Sequence, residues 1–193
     1  MKDKLNAIET AHAGIALPSH FGEAMDAQGT YHFKCFTKDG ELLWEDNIEN
    51  VVCTVGKNLA LQTILTGSGY TVTGPYMGLI SSVSYTTGPV ASDTMASHSG
   101  WTEAGSTNAP TFAARVAPAF GTASGGSIST SSVVSFTMTS AGTLKGAFIV
   151  YGTGAVSALM STTGTLLSAG TFSGGDQPVA NTNVVQVTYT LSV

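Results

Sequence analysis

The C-terminal stretch NVVQVTYTLSV (183–193) alternates apolar and polar side chains from Val185 to Val193. Val185, Val187, Tyr189, Leu191 and Val193 share one face, and Gln186, Thr188, Thr190 and Ser192 share the other. A period of two fits a half-buried strand and is incompatible with a helix, whose apolar positions recur every three to four residues. The pattern returns upstream. In Val134–Thr139, Val134, Phe136 and Met138 alternate with Ser135, Thr137 and Thr139. TLKGAFIVY (143–151) carries apolar residues on both faces, as a strand covered on two sides requires. LLSAGTF (166–172) and YMGLISSV (76–83) are further strand candidates. Between them fall turn signals: Ser140-Ala141-Gly142, Gly152-Thr153-Gly154, Thr163-Gly164 and Ser173-Gly174-Gly175-Asp176. Many short strands joined by glycine turns predict an all-β chain, an antiparallel β-sandwich of jelly-roll-like form.

Two other elements are legible. TYHFKCFTKDGELLWED (30–46) reads as a β-hairpin. Tyr31, Phe33 and Cys35 share a face, Asp39-Gly40 marks the turn, and Leu42 and Trp44 share a face on the return strand. TVGKNLALQTILTG (54–67) predicts one short helix covering an end of the sandwich. Leu61, Ile64 and Leu65 form its apolar stripe, Thr54 is placed to cap its start, and Gly67 is placed to stop it. Residues 1–25 have no sustained period and are read as an extended arm. Ile15, Leu17 and Phe21 around Pro18 are its candidate partner-binding residues, expected to dock on a neighbour. The expected division is an arm over 1–29, a hairpin segment over 30–53 and a β-sandwich domain over 54–193.

Charge is scarce and unevenly placed. Charged residues make up 10% of the chain, against about 25% in an ordinary soluble domain. From Leu61 onward the sequence holds only Asp93, Glu103, Arg115, Lys145 and Asp176. A surface with so little charge lacks like-charge repulsion between copies, so packing among neighbours, as a trimer, is expected. The net charge of −5 and the lack of a basic cluster argue against nucleic-acid binding. No run of 18 apolar residues suits a membrane span, and the first residues have no secretion-signal h-region. Cys35 and Cys53 flank the hairpin, which makes a disulfide conceivable, but two half-buried thiols in a reducing cell are the plainer reading.

The most polar stretch is DTMASHSGWTEAGSTNA (93–109). A serine triad needs a base held on its nucleophile, and the adjacency of Ser97, His98 and Ser99 does not supply that. Asp93, His98 and Glu103 are plausible ligand types, but their spacing matches no standard metal site. A polar loop anchored by Trp101 is the expected reading. GTASGGS (121–127) lacks the Lys-Ser/Thr of a phosphate loop and reads as a hairpin connection. Glu41, Glu45, Asp46 and Glu49 near Trp44 read as a solvated acidic face rather than a glycosidase pair. No catalytic residue, metal site or cofactor is therefore expected, and the chain is read as a non-enzyme.

The succession WEDNIENVVCTVGKNLALQTIL, YMGLI, DTMASHSGWTEAG, GTLKGAFIV and SAGTFSGGDQPVANTNVVQVTYTLS resembles a family of small tailed-bacteriophage virion proteins encoded near the major capsid protein gene. The likeness runs from about residue 30 to the C-terminus and is most specific in 93–101, 143–149 and 168–190. It implies a structural virion component. The expected role is a head decoration or cement protein, made in the bacterial cytoplasm, carried on the capsid surface and bound to the major capsid protein. The alternatives are a tail, neck or fibre component, or a carbohydrate-binding β-sandwich module using Trp44, Tyr70, Tyr76 or Trp101 as a sugar platform.

Overall fold

The computed structural model describes residues 27–66 and 73–193. The arm with Ile15, Leu17 and Phe21, and also Gly67 and Tyr70, lie outside the described residues. In chain order the elements are β1 (Gln28–Phe36), β2 (Leu42–Val52), α1 (Thr54–Thr66), β3 (Tyr76–Ser81), β4 (Thr102–Glu103), β5 (Ser127–Ser129), β6 (Val134–Thr137), β7 (Gly142–Tyr151), β8 (Thr165–Thr171), β9 (Gln177–Val179) and β10 (Val184–Ser192). The fold is all-β and antiparallel, with one short helix among the described residues. The strands make one continuous ten-stranded sheet, ordered β4-β3-β7-β8-β2-β1-β10-β5, with β6 also on β10 and β9 also on β7.

The β1–β2 hairpin forms as its alternation requires, with Tyr31, Phe33 and Cys35 fully buried. Its turn closes through Gly40 N–H donating to the Thr37 carbonyl at 3.1 Å, with Gly40 at φ 87°, where glycine is favoured. One detail departs from strict alternation. A bulge at Cys35/Phe36 puts Trp44 opposite Cys35 but Leu42 opposite Phe36, so Trp44 packs on the core while Leu42 stays exposed. The hairpin also sits in the middle of the sheet, between β8 and β10, so residues 30–53 are built into the 54–193 segment rather than placed beside it.

Strand β2 joins the two halves of the sheet. Most of it pairs with β1, while Val51 and Val52 pair with Ala169 and Ser168 of β8. The two halves share one core, in which Tyr31, Phe33, Val185 and Val187 meet Met77, Leu79, Ala147 and Ile149. Phe172 seals the junction, 4.9 Å from the Phe33 ring and 5.8 Å from the Trp44 ring. β7 faces a second core with its other side, through Phe148 and Val150, which explains its lack of a polar face. Where β7 and β8 cross, a Cβ on Gly146 would run into the Gly170 carbonyl.

The core contains one polar knot. The Tyr31 hydroxyl lies 2.7 Å from Ser168 Oγ, Asn50 Nδ2 donates to the Tyr189 hydroxyl at 3.1 Å, and the two tyrosine rings lie tilted against each other with centroids 4.6 Å apart. β1, β2, β8 and β10 are thereby tied together at the place where β2 changes partners. Burial pushes both phenols above their ordinary range.

Helix α1 spans the expected residues, but its start is made differently. Thr54 is already helical. Its N–H donates to the Ala91 carbonyl at 2.8 Å, and the Cys53 carbonyl accepts the Lys57 N–H at 3.0 Å. The expected apolar stripe does not enter the core: Leu61, Ile64 and Leu65 are 45%, 72% and 77% exposed. Only the first turns are seated, with Gly56 against the Leu167 backbone and its carbonyl accepting the Tyr151 hydroxyl at 2.9 Å. β4, β5 and β9 are too short to carry a periodic signal, and they were not readable in the sequence.

Replacing Tyr31 by Phe removes the hydroxyl from the knot and strands the Ser168 hydroxyl in the core. The expected loss is about 1–3 kcal/mol, read as a lower urea midpoint with an unchanged m-value.

Candidate functional site

The polar stretch 93–109 folds as two structural clasps. In the first, the Asp93 carboxylate accepts the Trp101 indole N–H at 2.9 Å and the Val90 N–H at 3.1 Å. Trp101 is 2% exposed and lies 5.5 Å from the Phe148 ring. His98 stacks on the indole at 3.9 Å, and its Nδ1 lies 3.0 Å from the Trp101 carbonyl. A carbonyl only accepts, so this contact places the proton on Nδ1. Between these residues, Thr94 and Ser97 exchange backbone hydrogen bonds in a tight turn. Trp101 is thus the anchor that the sequence implies.

The second clasp is an ion pair. Glu103, on β4, adds to the edge of β3 and is 5% exposed. Arg115, the only arginine in the chain, is 2% exposed and meets Glu103 in a two-pronged contact, Nε to Oε1 and Nη2 to Oε2, each at 2.7 Å. The remaining valences are filled by backbone. Arg115 donates to the Val156 carbonyl at 3.3 Å and the Ser161 carbonyl at 2.8 Å, and Glu103 Oε2 accepts the Met160 N–H at 2.7 Å. Met160 holds φ 60° to make that contact, an uncommon conformation for a residue other than glycine. The guanidinium also lies 5.3 Å from the centre of the Phe148 ring.

The polar-loop expectation therefore holds for His98 and the 94–97 turn but not for Glu103 or Asp93, both of which are buried. For Glu103 the reason is that Arg115 supplies a partner for a charge that otherwise has no place inside, and for Asp93 it is the two N–H donors of Trp101 and Val90. The sequence held one signal that went unused: a lone arginine and a glutamate in a segment almost free of charge.

Between the clasps lies a pocket of about 170 Å³, bordered by Met95, His98, Trp101, Glu103, Phe148 and Met160. Its ionisable members are committed to the bonds just described. Asp93 and Glu103 serve different partners, and among the described residues no three His, Cys, Asp or Glu side chains are grouped to hold a metal ion.

The other sequence candidates resolve similarly. In 121–127, Ser124 and Ser127 exchange backbone hydrogen bonds around Gly125 (φ 58°) and Gly126 (φ 76°), a hairpin turn. In the acidic group, Glu45 pairs with His32 at 2.7 Å and Lys34 at 3.5 Å, and the His32 hydrogen bond lowers its pKa. Asp46 accepts from Gln177 at 3.0 Å. Trp44 is half-buried, with its indole N–H on the Pro178 carbonyl at 2.9 Å, and Trp101 is buried, which leaves it no free face as a sugar platform.

Cys35 and Cys53 are free thiols in separate cores. Burial pushes Cys35 up to about 11. Burial, aided by the Asp93 charge, pushes Cys53 up to about 12.

Comparison of the chain with protein-family models, with curated proteins and with solved structures returns no match.

Two outcomes are expected. Glu103→Ala leaves the Arg115 charge buried and unpaired and costs about 3–5 kcal/mol. Replacing both residues by apolar ones of similar volume recovers most of that loss, as denaturant titration of the single and double variants checks. The thiols give an alkaline limit. Unfolded thiols lose their protons from about pH 9, whereas folded ones hold theirs to about 11 and 12, so the unfolded state binds fewer protons in that interval. Stability is present below pH 9 and falls as pH rises through this window, and Cys35→Ala/Cys53→Ala flattens the fall in a pH series of unfolding midpoints.

Proposed function

We propose that this chain is a structural protein of a tailed-bacteriophage virion: a head decoration protein that binds the major capsid protein, stabilises the shell and acts without catalysis. The observation that carries the reading concerns the stretch 93–101, where the resemblance to small virion proteins is among the most specific. Its Asp93 and Trp101 are joined to each other inside the fold, and the adjoining Glu103 is joined to Arg115. The shared pattern is thus spent on holding long loops against the sheet. A lattice protein needs that rigidity, because each copy meets its neighbours through a fixed surface and many modest contacts act together.

The exterior supports the same reading. Leu42, Leu43, Val90, Val133 and Val156 are exposed, on a chain with few charges to keep copies apart. We place the protein on the capsid surface as a trimer, closed on a rotation axis by contacts between its charge-poor faces.

The deciding measurement is the ratio of this chain to the major capsid protein in purified particles, with the location of its density by electron microscopy. A fixed ratio set by the capsid lattice, with copies in threes, is expected. A few copies on the tail axis would make it a tail or neck component, and absence from particles would remove the virion reading.

A further inference from the structure

Strand β2 has two edges, and one of them is used only at its end. Successive residues of a strand send their N–H and C=O groups to opposite sides. Cys53 N–H donates to the Leu167 carbonyl at 2.9 Å, in register with the Val51 and Ala169 pair. The odd-numbered residues therefore aim toward β8 and the even-numbered ones toward β1. β8 pairs with β2 only at Val51 and Val52. Among the described residues no strand pairs with the outer edge at Glu45, Asn47 and Glu49. The Asn47 N–H is met there by the Asp46 carboxylate at 2.8 Å, a side chain standing where a strand carbonyl would. Beside the edge lies an open groove of about 500 Å³, bordered by Thr30, Asn47, Ile48, Glu49, Thr171 and Ser173. The loop after β8 reaches β2 through side chains of its inner face, with Trp44 on the Pro178 carbonyl and Gln177 on Asp46.

An edge of this kind accepts an extended chain as its next strand through main-chain bonds, and the side chains along it select which chain. Glu45, Asn47 and Glu49 are all exposed, and no Lys or Arg occurs between Lys38 and Lys57. Glu45 meets His32 and Lys34 of β1, whereas Glu49 has no ion pair among the described residues. A second copy of β2 would bring Glu45, Asp46 and Glu49 to the shared edge twice over, and like charges across a strand pair oppose it. A strand with Lys or Arg on the matching face meets the opposite charge instead.

We propose that the outer edge of β2, residues 45–49, receives an extended segment of a partner protein that carries Lys or Arg at alternate positions, added as a strand in the groove beside Thr171 and Ser173. Main-chain bonds to Glu45, Asn47 and Glu49 hold the segment, and the two glutamates choose its charge. The edge is available whether or not the chain belongs to a virion, so the test needs no particle.

The full chain is titrated with the capped peptide Thr-Lys-Val-Lys-Val-Lys-Thr, whose lysines share one face when extended. Binding is expected to slow amide exchange at Glu45, Asn47 and Glu49 by about tenfold or more, while the even-numbered amides of β2, already in the β1 ladder, stay as they were. The same peptide N-methylated throughout keeps its charge but loses its main-chain donors, and is expected to bind at least about tenfold more weakly. Glu45→Gln/Glu49→Gln, changed at exposed positions, is expected to weaken the unmodified peptide by a similar factor, about tenfold. Equal binding by the methylated peptide would reduce the contact to charge attraction and overturn the proposal. So would equal binding by Thr-Glu-Val-Glu-Val-Glu-Thr, or no protection of the edge amides at all. Edge amides already protected without peptide would overturn it too. Protection independent of protein concentration would give the edge to the chain itself, and protection that grows with concentration would give it to a second copy.

Discussion

The fold turns on the change of partner within β2. Its first residues pair with β1 and its last two, Val51 and Val52, pair with β8, so one strand belongs to both halves of the sheet. This crossing needs close approach. A Cβ on Gly170 would lie 2.7 Å from Ile48 and 3.1 Å from Asn50, so only glycine fits β8 there. The polar knot of Tyr31, Tyr189, Asn50 and Ser168 sits at the same point and fixes the two halves over their common core. The crossing also sends the chain into α1, which explains why the helix and the N-terminal entry share one end of the molecule.

The second constraint is the scarcity of charge. Of the five charged residues after Leu61, Glu103 and Arg115 are withdrawn into a buried pair, and Lys145 pairs with Asp176 while lying over the Tyr85 ring. Replacing a buried pair with apolar residues need not weaken a protein, so the pair is better understood as a specification of geometry than as a source of stability. Its backbone contacts hold the loop containing Val156, Met160 and Ser161 against β4 at the edge of the sheet. Glu103, a plausible metal ligand by residue type in the sequence, is thus consumed by structure.

Asp93, Glu103 and Arg115 each hold several bonds inside the protein, and His98 lies flat on an indole. A rigid, charge-poor β-protein with anchored loops suits repeated contact with identical neighbours, the task proposed for it.

The alternating runs at 134–138 and 185–191, with the apolar strand candidates at 143–151 and 166–172 and the glycine turns between them, determined the β class by themselves, because a period of two leaves a strand only one way to bury one face. Asp39-Gly40 and the 54–66 run likewise determined a turn and a helix, since these are local choices of backbone. Other features lay beyond local reading. The exposure of Leu61, Ile64 and Leu65 depends on where the sheet stops, and the displacement of Leu42 depends on a bulge opposite Phe36. The burial of Glu103 depends on Arg115, twelve residues away, and on carbonyls still further along the chain. Sequence pattern records which residues prefer to be inside. Which charges are admitted there, and which apolar faces are left outside, was decided by tertiary pairing, because each depends on a partner that local sequence does not name.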